Sequence, residues 1–99
     1  AAHARSQGRR ALGMIAVNTA WGRSSERALQ SHLAASGSVQ RLVGTRWYNY
    51  TDPESLIVSQ YLELRQLGAQ AIVFIGNFRE GAELVRAIAA QPPAQRLPV

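Results

Sequence analysis

The stretch "ALGMIAVNTAWGRSSERAL", Ala11–Leu29, decides the fold, because a buried strand turns into an amphipathic helix within it. Its first part, Ala11–Val17, is short and apolar and is followed by Asn18, which is typical of a strand buried on both faces. Trp21 stands at the turn, where Gly, Asn or Asp would be usual. The indole is therefore expected either to pack against a neighbouring loop or to contact a ligand.

The same alternation of strand and helix continues along the chain. Gly37 ends the first helix as a left-handed cap, Asp52 is expected to cap the second, and Gly68 ends it. The apolar spacing predicts that the second helix buries Ile57, Tyr61 and Leu64, and that the third buries Leu84, Val85 and Ile88. The predicted strands are Ala11–Val17, Ser38–Tyr48, Ala69–Gly76 and Arg96–Val99, and the predicted helices are Gly22–Ser36, Pro53–Leu67 and Arg79–Gln91.

This alternation predicts the α/β class, with three layers (α-β-α) and a Rossmann- or flavodoxin-like parallel sheet. The predicted strand order is 2-1-3-4. In such sheets ligands bind beyond the carboxyl ends of the strands, in the crevice where the strand order reverses. The loops "NTAWG" and "NFRE", which follow the first and third strands, should line that crevice.

Composition limits the possible classes of protein. Ninety-nine residues with 46% apolar side chains suit one domain with a core, and the absence of Cys excludes disulfides and thiolate sites. No stretch has the length of a membrane span, and "AAHARSQGRR" shows no signal peptide. Residues 1–8 are expected to be the tail of a preceding helix or a linker. Residues 9–99 are expected to be a ligand-binding lobe, a fragment of a longer two-lobed protein.

The net charge of +5 comes from eleven Arg residues without any Lys. These arginines are scattered, and only the three nearest the start of the chain cluster. Nucleic-acid binding needs a basic stripe on one face, so we predict that no nucleic acid is bound.

Catalytic motifs are missing from the strand ends. The turn after the first strand has one Gly rather than a glycine-rich loop, and the chain lacks the Lys of a P-loop. The strand ends carry Asn18, Trp47-Tyr48-Asn49 and Asn77 where a phosphoacceptor receiver domain would need acidic residues. His3 and His32 do not form a metal or catalytic pair, because one lies in the expected tail and the other in mid-helix. We therefore predict no enzymatic activity, no metal and no cofactor.

Several short motifs follow one another along the chain: an aromatic-Gly pair that opens a helix, single glycines at element ends, a Thr-Asp before a helix, and a final Pro-Val. This order resembles the second lobe of type I periplasmic substrate-binding proteins, more narrowly the branched-chain amino acid (Leu/Ile/Val) binding group of ABC transporters. The resemblance covers residues 9–99. The matching positions are Trp21-Gly22, Gly37, Thr51-Asp52, Gly68-Ala69, Gly76 and Pro98-Val99.

The resemblance implies that two lobes close on a small ligand and that Trp21 stacks on it. The residue after Gly76 also faces the ligand in that family; it is usually aromatic in amino acid binders, but here it is Asn77. Arg79 could meet a carboxylate at a helix N-terminus. Tyr48 and Tyr50 are predicted to be structural. The candidate ligand-binding residues are Thr19, Ala20, Trp21, Asn77, Phe78 and Arg79.

The function implied by the resemblance is the extracytoplasmic, periplasmic solute-binding component of an ABC importer. Its solute would be a small polar compound such as an amino acid. Its partners would be the second lobe and the transporter permease, and the lobe alone is expected to self-associate. Two alternatives remain open: a ligand-sensing domain of a signalling receptor or regulator with the same fold, and a flavodoxin-like or receiver domain with a lost site.

Overall fold

The central strand of the molecule is β1, Ala11–Val17, and all seven of its residues are buried. The computed structural model describes residues 11–35, 37 and 39–99. The expected N-terminal tail, residues 1–8, lies outside these described residues. The other elements are α1 (Ala20–Ala35), β2 (Arg41–Tyr48), α2 (Glu54–Gln66), β3 (Ala71–Ile75), α3 (Phe78–Ala89) and a 3-10 turn (Pro93–Gln95).

The three strands form a parallel sheet in the order β2-β1-β3. This confirms the predicted class and the order of the first three strands. The predicted fourth strand over Arg96–Val99 is not formed. The Ile72 N–H donates to the Pro98 carbonyl oxygen at 2.8 Å, which holds the segment beside β3. Proline has no N–H to return, so that contact does not extend into a ladder.

Helices cover both faces of the sheet. On one face, α2 and α3 bury Ile57, Tyr61, Leu64 and Leu84 against Ile15, Val17, Tyr48 and Ile72. On the other face, α1 packs Leu33 and Leu29 against Leu12 and Ala71. Each fully buried aliphatic side chain contributes about 1.5–3 kcal/mol to folding. Since Ile57, Tyr61 and Leu64 are all buried, the predicted buried stripe of α2 is confirmed.

The buried face of α3 differs from the prediction at one position. Leu84 is buried and Ile88 is partly buried, as predicted, but Val85 is 60% exposed. The helix instead buries Glu80 and Ala87, so its inward face is turned away from Val85. The apolar spacing did not predict this because two glutamates, Glu80 and Glu83, occupy part of the inward face.

The two glycine caps were predicted correctly, but all three helix starts differ from the prediction, and α3 begins at Phe78 rather than Arg79. Gly37 and Gly68 have φ angles of 64° and 96°, in the left-handed region that favours glycine. Asp52 does not cap α2: Pro53 occupies the N-cap position, and the Asp52 carboxylate accepts a hydrogen bond from the Asn49 N–H at 2.7 Å. Helix α1 begins at Ala20 rather than Gly22, so the aromatic residue of the turn belongs to the helix.

Candidate functional site

Three connections meet at the carboxyl edge of the sheet. Ala16 of β1 lies opposite Ile75 of β3, and Val17 lies opposite Tyr48 of β2. Parallel strands in this register end at the same level, so the segments that follow them share one edge. The first and third connections therefore leave the sheet at a shared edge, as the parallel topology predicts. A ligand crevice between them stays a prediction.

The β1–α1 connection, Asn18 and Thr19, is tight. The Thr19 hydroxyl accepts a hydrogen bond from the Gly22 N–H at 3.3 Å and so caps α1. A Cβ atom added to Gly22 would lie 1.9 Å from the Val17 carbonyl oxygen. Only glycine therefore lets the first turn of α1 press directly on the end of β1, and this fixes the position of the preceding residue, Trp21.

Trp21 presents its indole to solvent at this edge, with 52% of the residue exposed. Among the residues that the structure describes, its ring has no aromatic partner. The neighbouring Ala20 is exposed as well. Packing against another aromatic ring of the chain therefore does not explain the indole, and a large flat surface remains open for stacking.

The β3–α3 connection supplies a polar and an aromatic group. Asn77 is the N-cap residue of α3, but its side chain makes no capping hydrogen bond, and the residue is exposed. Its backbone N–H donates to the Tyr48 hydroxyl at 3.1 Å. Phe78, the first residue of α3, is 93% exposed. An amide and two aromatic rings thus lie on the connections that leave the same edge.

Arg79 is held back along the protein surface. Its Nη2 donates to the Tyr50 carbonyl oxygen and to Glu80 Oε1, the latter at 2.9 Å. Glu80 is only 2% exposed, and its carboxylate raises the pKa of Arg79 above the ordinary value. The guanidinium therefore remains charged and is oriented by the β2–α2 connection, Asn49–Pro53. Contact between Arg79 and a ligand carboxylate remains a prediction.

Asparagines link the first two connections, which the sequence did not indicate. Asn18 Nδ2 donates to Asn49 Oδ1 at 3.5 Å, and Arg23 Nη1 donates to Asn18 Oδ1 at 3.0 Å. In the sequence, the feature that could have pointed to Asn18 and Asn49 is that each directly follows a strand. We expect this network to limit the motion of the edge, since each partner bonds to a different element.

An open apolar groove of about 690 Å³ adjoins the edge. It runs along α3 and the outer side of β3, and it contains Asn77 and Phe78 but not Trp21. Other lining residues are Phe74, Gly81, Ala82, Val85 and Val99. The six predicted site residues are therefore divided: Thr19, Ala20 and Trp21 belong to the β1–α1 side, and Asn77, Phe78 and Arg79 to the β3–α3 side.

Within the described part of the chain, no cluster of three His, Cys, Asp or Glu side chains could hold a metal ion. No described helix is long and apolar enough to span a bilayer.

The helices on both faces and the parallel sheet in the order β2-β1-β3 define a three-layer α/β fold. The chain is similar to a branched chain amino acid ABC transporter periplasmic ligand-binding protein from Burkholderia xenovorans LB400, with a TM-score of 0.78 and 18% sequence identity. The match covers 98% of this chain and 25% of that protein, so the chain spans about a quarter of its length. No protein-family model and no curated protein matches the chain. The likeness establishes the fold.

Proposed function

We propose that this chain is one lobe of a two-lobed, extracytoplasmic binding protein that delivers a small polar solute to an ABC importer. One observation carries the proposal: a half-exposed indole stands at the carboxyl edge of a sheet whose fold matches a periplasmic ligand-binding protein. The solute class is an amino acid or a related compound. The importer permease and the second lobe are the proposed partners.

Each candidate residue has a role that suits binding without a reaction. The Trp21 face stacks on an apolar or cationic part of the solute, and its N–H can donate one hydrogen bond. The Asn77 amide supplies both a donor and an acceptor. Phe78 adds apolar surface, Thr19 and Ala20 form the floor beside the indole, and Arg79 supplies positive charge for a carboxylate.

One lobe encloses only part of a ligand. Closed pockets bury about 70–90% of a ligand's surface, and one side of a cleft buries much less. High affinity would therefore come from closure of two lobes around the solute. The 99-residue chain alone should bind with a Kd of roughly millimolar, about −4 kcal/mol.

Titration of the ¹⁵N-labelled chain with L-leucine, L-valine and L-glutamate, followed by NMR, tests the proposal. We expect shifts confined to Asn18–Trp21 and Gly76–Arg79, with the Trp21 indole signal moving more than that of Trp47, the other tryptophan of the chain. Shifts confined to the part of the groove formed by Gly81, Ala82, Val85 and Val99, or no saturable shift with any of the three amino acids, would contradict the proposed site.

A further inference from the structure

Tyr48, the last residue of β2, bonds to both of the connections that carry the candidate site. Its carbonyl oxygen accepts a hydrogen bond from the Asn18 N–H at 2.7 Å, at the start of the β1–α1 connection. Its phenol oxygen accepts one from the Asn77 N–H at 3.1 Å, in the β3–α3 connection. Because β2 and β3 are not neighbours in the sheet, the side chain reaches past the end of β1 to make the second bond.

The ring is fixed before it reaches that hydrogen bond. Tyr48 is fully buried, and its ring stacks on Phe74 of β3 with 6.0 Å between the centroids and 10° between the planes. The Tyr50 ring meets it edge-on at 6.4 Å. A buried ring packed on two sides can adopt few rotamers, so the hydroxyl oxygen has a defined position.

Gly76 leaves the space that the hydroxyl occupies. A Cβ atom added at Gly76 would lie 1.9 Å from the Tyr48 hydroxyl oxygen and 2.7 Å from Phe74. Glycine at the end of β3 is thus required by the approach of this ring rather than by its own φ angle. Burial raises the pKa of the phenol above its ordinary value, so the group stays neutral at physiological pH.

We propose that Tyr48 is a positioning residue of the solute site, and that its hydroxyl sets the β3–α3 connection at a fixed distance from the β1–α1 connection. The inference rests on the proposed function for its link to binding, but the positioning itself can be measured without a ligand. The residue touches no solute. It acts through Asn77, whose backbone it holds, and through Asn18, the residue that precedes the cap of α1.

The test is Tyr48→Phe in the 99-residue chain, because this change keeps the ring and removes only the hydroxyl. The Asn77 amide should exchange with solvent about three- to tenfold faster, as expected for loss of one hydrogen bond. The Asn18 amide, which bonds to the backbone of Tyr48, should keep its exchange rate. L-leucine should bind several-fold more weakly in an NMR titration.

Tyr61→Phe is the matched control. Tyr61 is also fully buried, and its hydroxyl bonds to the Gln95 carbonyl oxygen and the Leu97 N–H, at 2.6 and 2.9 Å. Its loss should lower stability while leaving Asn77 exchange and leucine binding unchanged.

The outcomes separate the two proposals. Unchanged Asn77 exchange in Tyr48→Phe overturns the positioning role, whatever the ligand does. If Asn77 exchanges faster in Tyr48→Phe but this variant binds leucine as tightly as the unmodified chain, the link between Tyr48 and solute binding is overturned. Faster exchange in Tyr48→Phe, together with no binding of L-leucine, L-valine or L-glutamate by the unmodified chain, upholds the positioning of the connection and overturns the proposed solute class instead.

Discussion

At the residue scale, the missing side chain of Gly22 allows the start of α1 to contact the end of β1. Gly22→Ala would place a methyl group against the Val17 carbonyl oxygen, at 1.9 Å before any relaxation. Since that atom belongs to the backbone of the central strand, the start of α1 would have to move. We expect a loss of about 1–3 kcal/mol in the free energy of unfolding, measured by urea denaturation.

Gly81→Ala provides the comparison within another helix. The added Cβ atom would have Phe74 as its nearest neighbour, at 3.3 Å, and Ala favours a helix over Gly. This variant should unfold within about 1 kcal/mol of the unmodified chain. Equal destabilisation by both substitutions would contradict this explanation, because the close contact between α1 and β1 would then not account for the loss of stability in Gly22→Ala.

The sequence placed Trp21 and Asn77 at the carboxyl edge of the sheet, because their positions follow from the strand ends and the parallel topology. The sequence also predicted a structural role for Tyr48, and the full burial of this residue agrees with that role. Its hydrogen bond to Asn77 joins residues that are 29 positions apart. No local pattern encodes such a contact, since it depends on the way the ring crosses the end of a neighbouring strand.

At the scale of elements, an ion pair joins α2 and α3. Arg86 Nη2 lies 2.8 Å from Glu54 Oε1, and this guanidinium lowers the pKa of the Glu54 carboxyl group. A carboxyl group with a lowered folded-state pKa stabilises the fold above its unfolded pKa, about 4.3, and loses that contribution as the pH falls through the folded value. Both side chains are exposed, so the contribution is small.

Glu54→Gln should therefore lower the melting temperature slightly at pH 7. The difference from the unmodified chain should vanish at about pH 2.5, where the carboxyl group is protonated in both states. Glu26→Gln on α1 is the control, because Glu26 forms no ion pair with the described residues. A Glu54→Gln deficit that persists unchanged at low pH would point to lost packing rather than lost charge.

Element types were predictable, but several boundaries were not. Apolar runs and glycine caps identified three strands and three helices, whereas the start of α2 moved because Asp52 bonds to Asn49 instead of capping the helix. The fourth strand failed for a different reason. Its apolar sequence suits a strand, but Pro98 has no N–H to donate to β3. The hydrophobic pattern takes no account of which backbone groups can form hydrogen bonds.

At the scale of the whole molecule, one face remains apolar and open. Phe78, Val85 and Val99 are 93%, 60% and 65% exposed along the groove beside β3. Apolar surface of this kind favours association. We expect the isolated chain to self-associate through this face, and sedimentation velocity should show the weight-average sedimentation coefficient rising with concentration.

Val85→Asp should shift that equilibrium toward the monomer. Ala28→Asp, which adds the same charge at an exposed position of α1 on the other side of the sheet, should not. A concentration-independent monomer for the unmodified chain, or an equal effect of both substitutions, would count against this face as the contact.

The central claim is that the carboxyl edge binds a solute through Trp21, and paired L-leucine titrations of the unmodified chain and Trp21→Ala test it most directly. Because the ring is half exposed, thermal melts of the two should differ by no more than about 4 °C. Removing a stacking face should weaken binding roughly 10- to 100-fold, while Arg27→Ala, farther along α1, should leave it unchanged. A sharp fall in melting temperature with unaltered affinity per folded molecule would contradict the account and make Trp21 a packing residue.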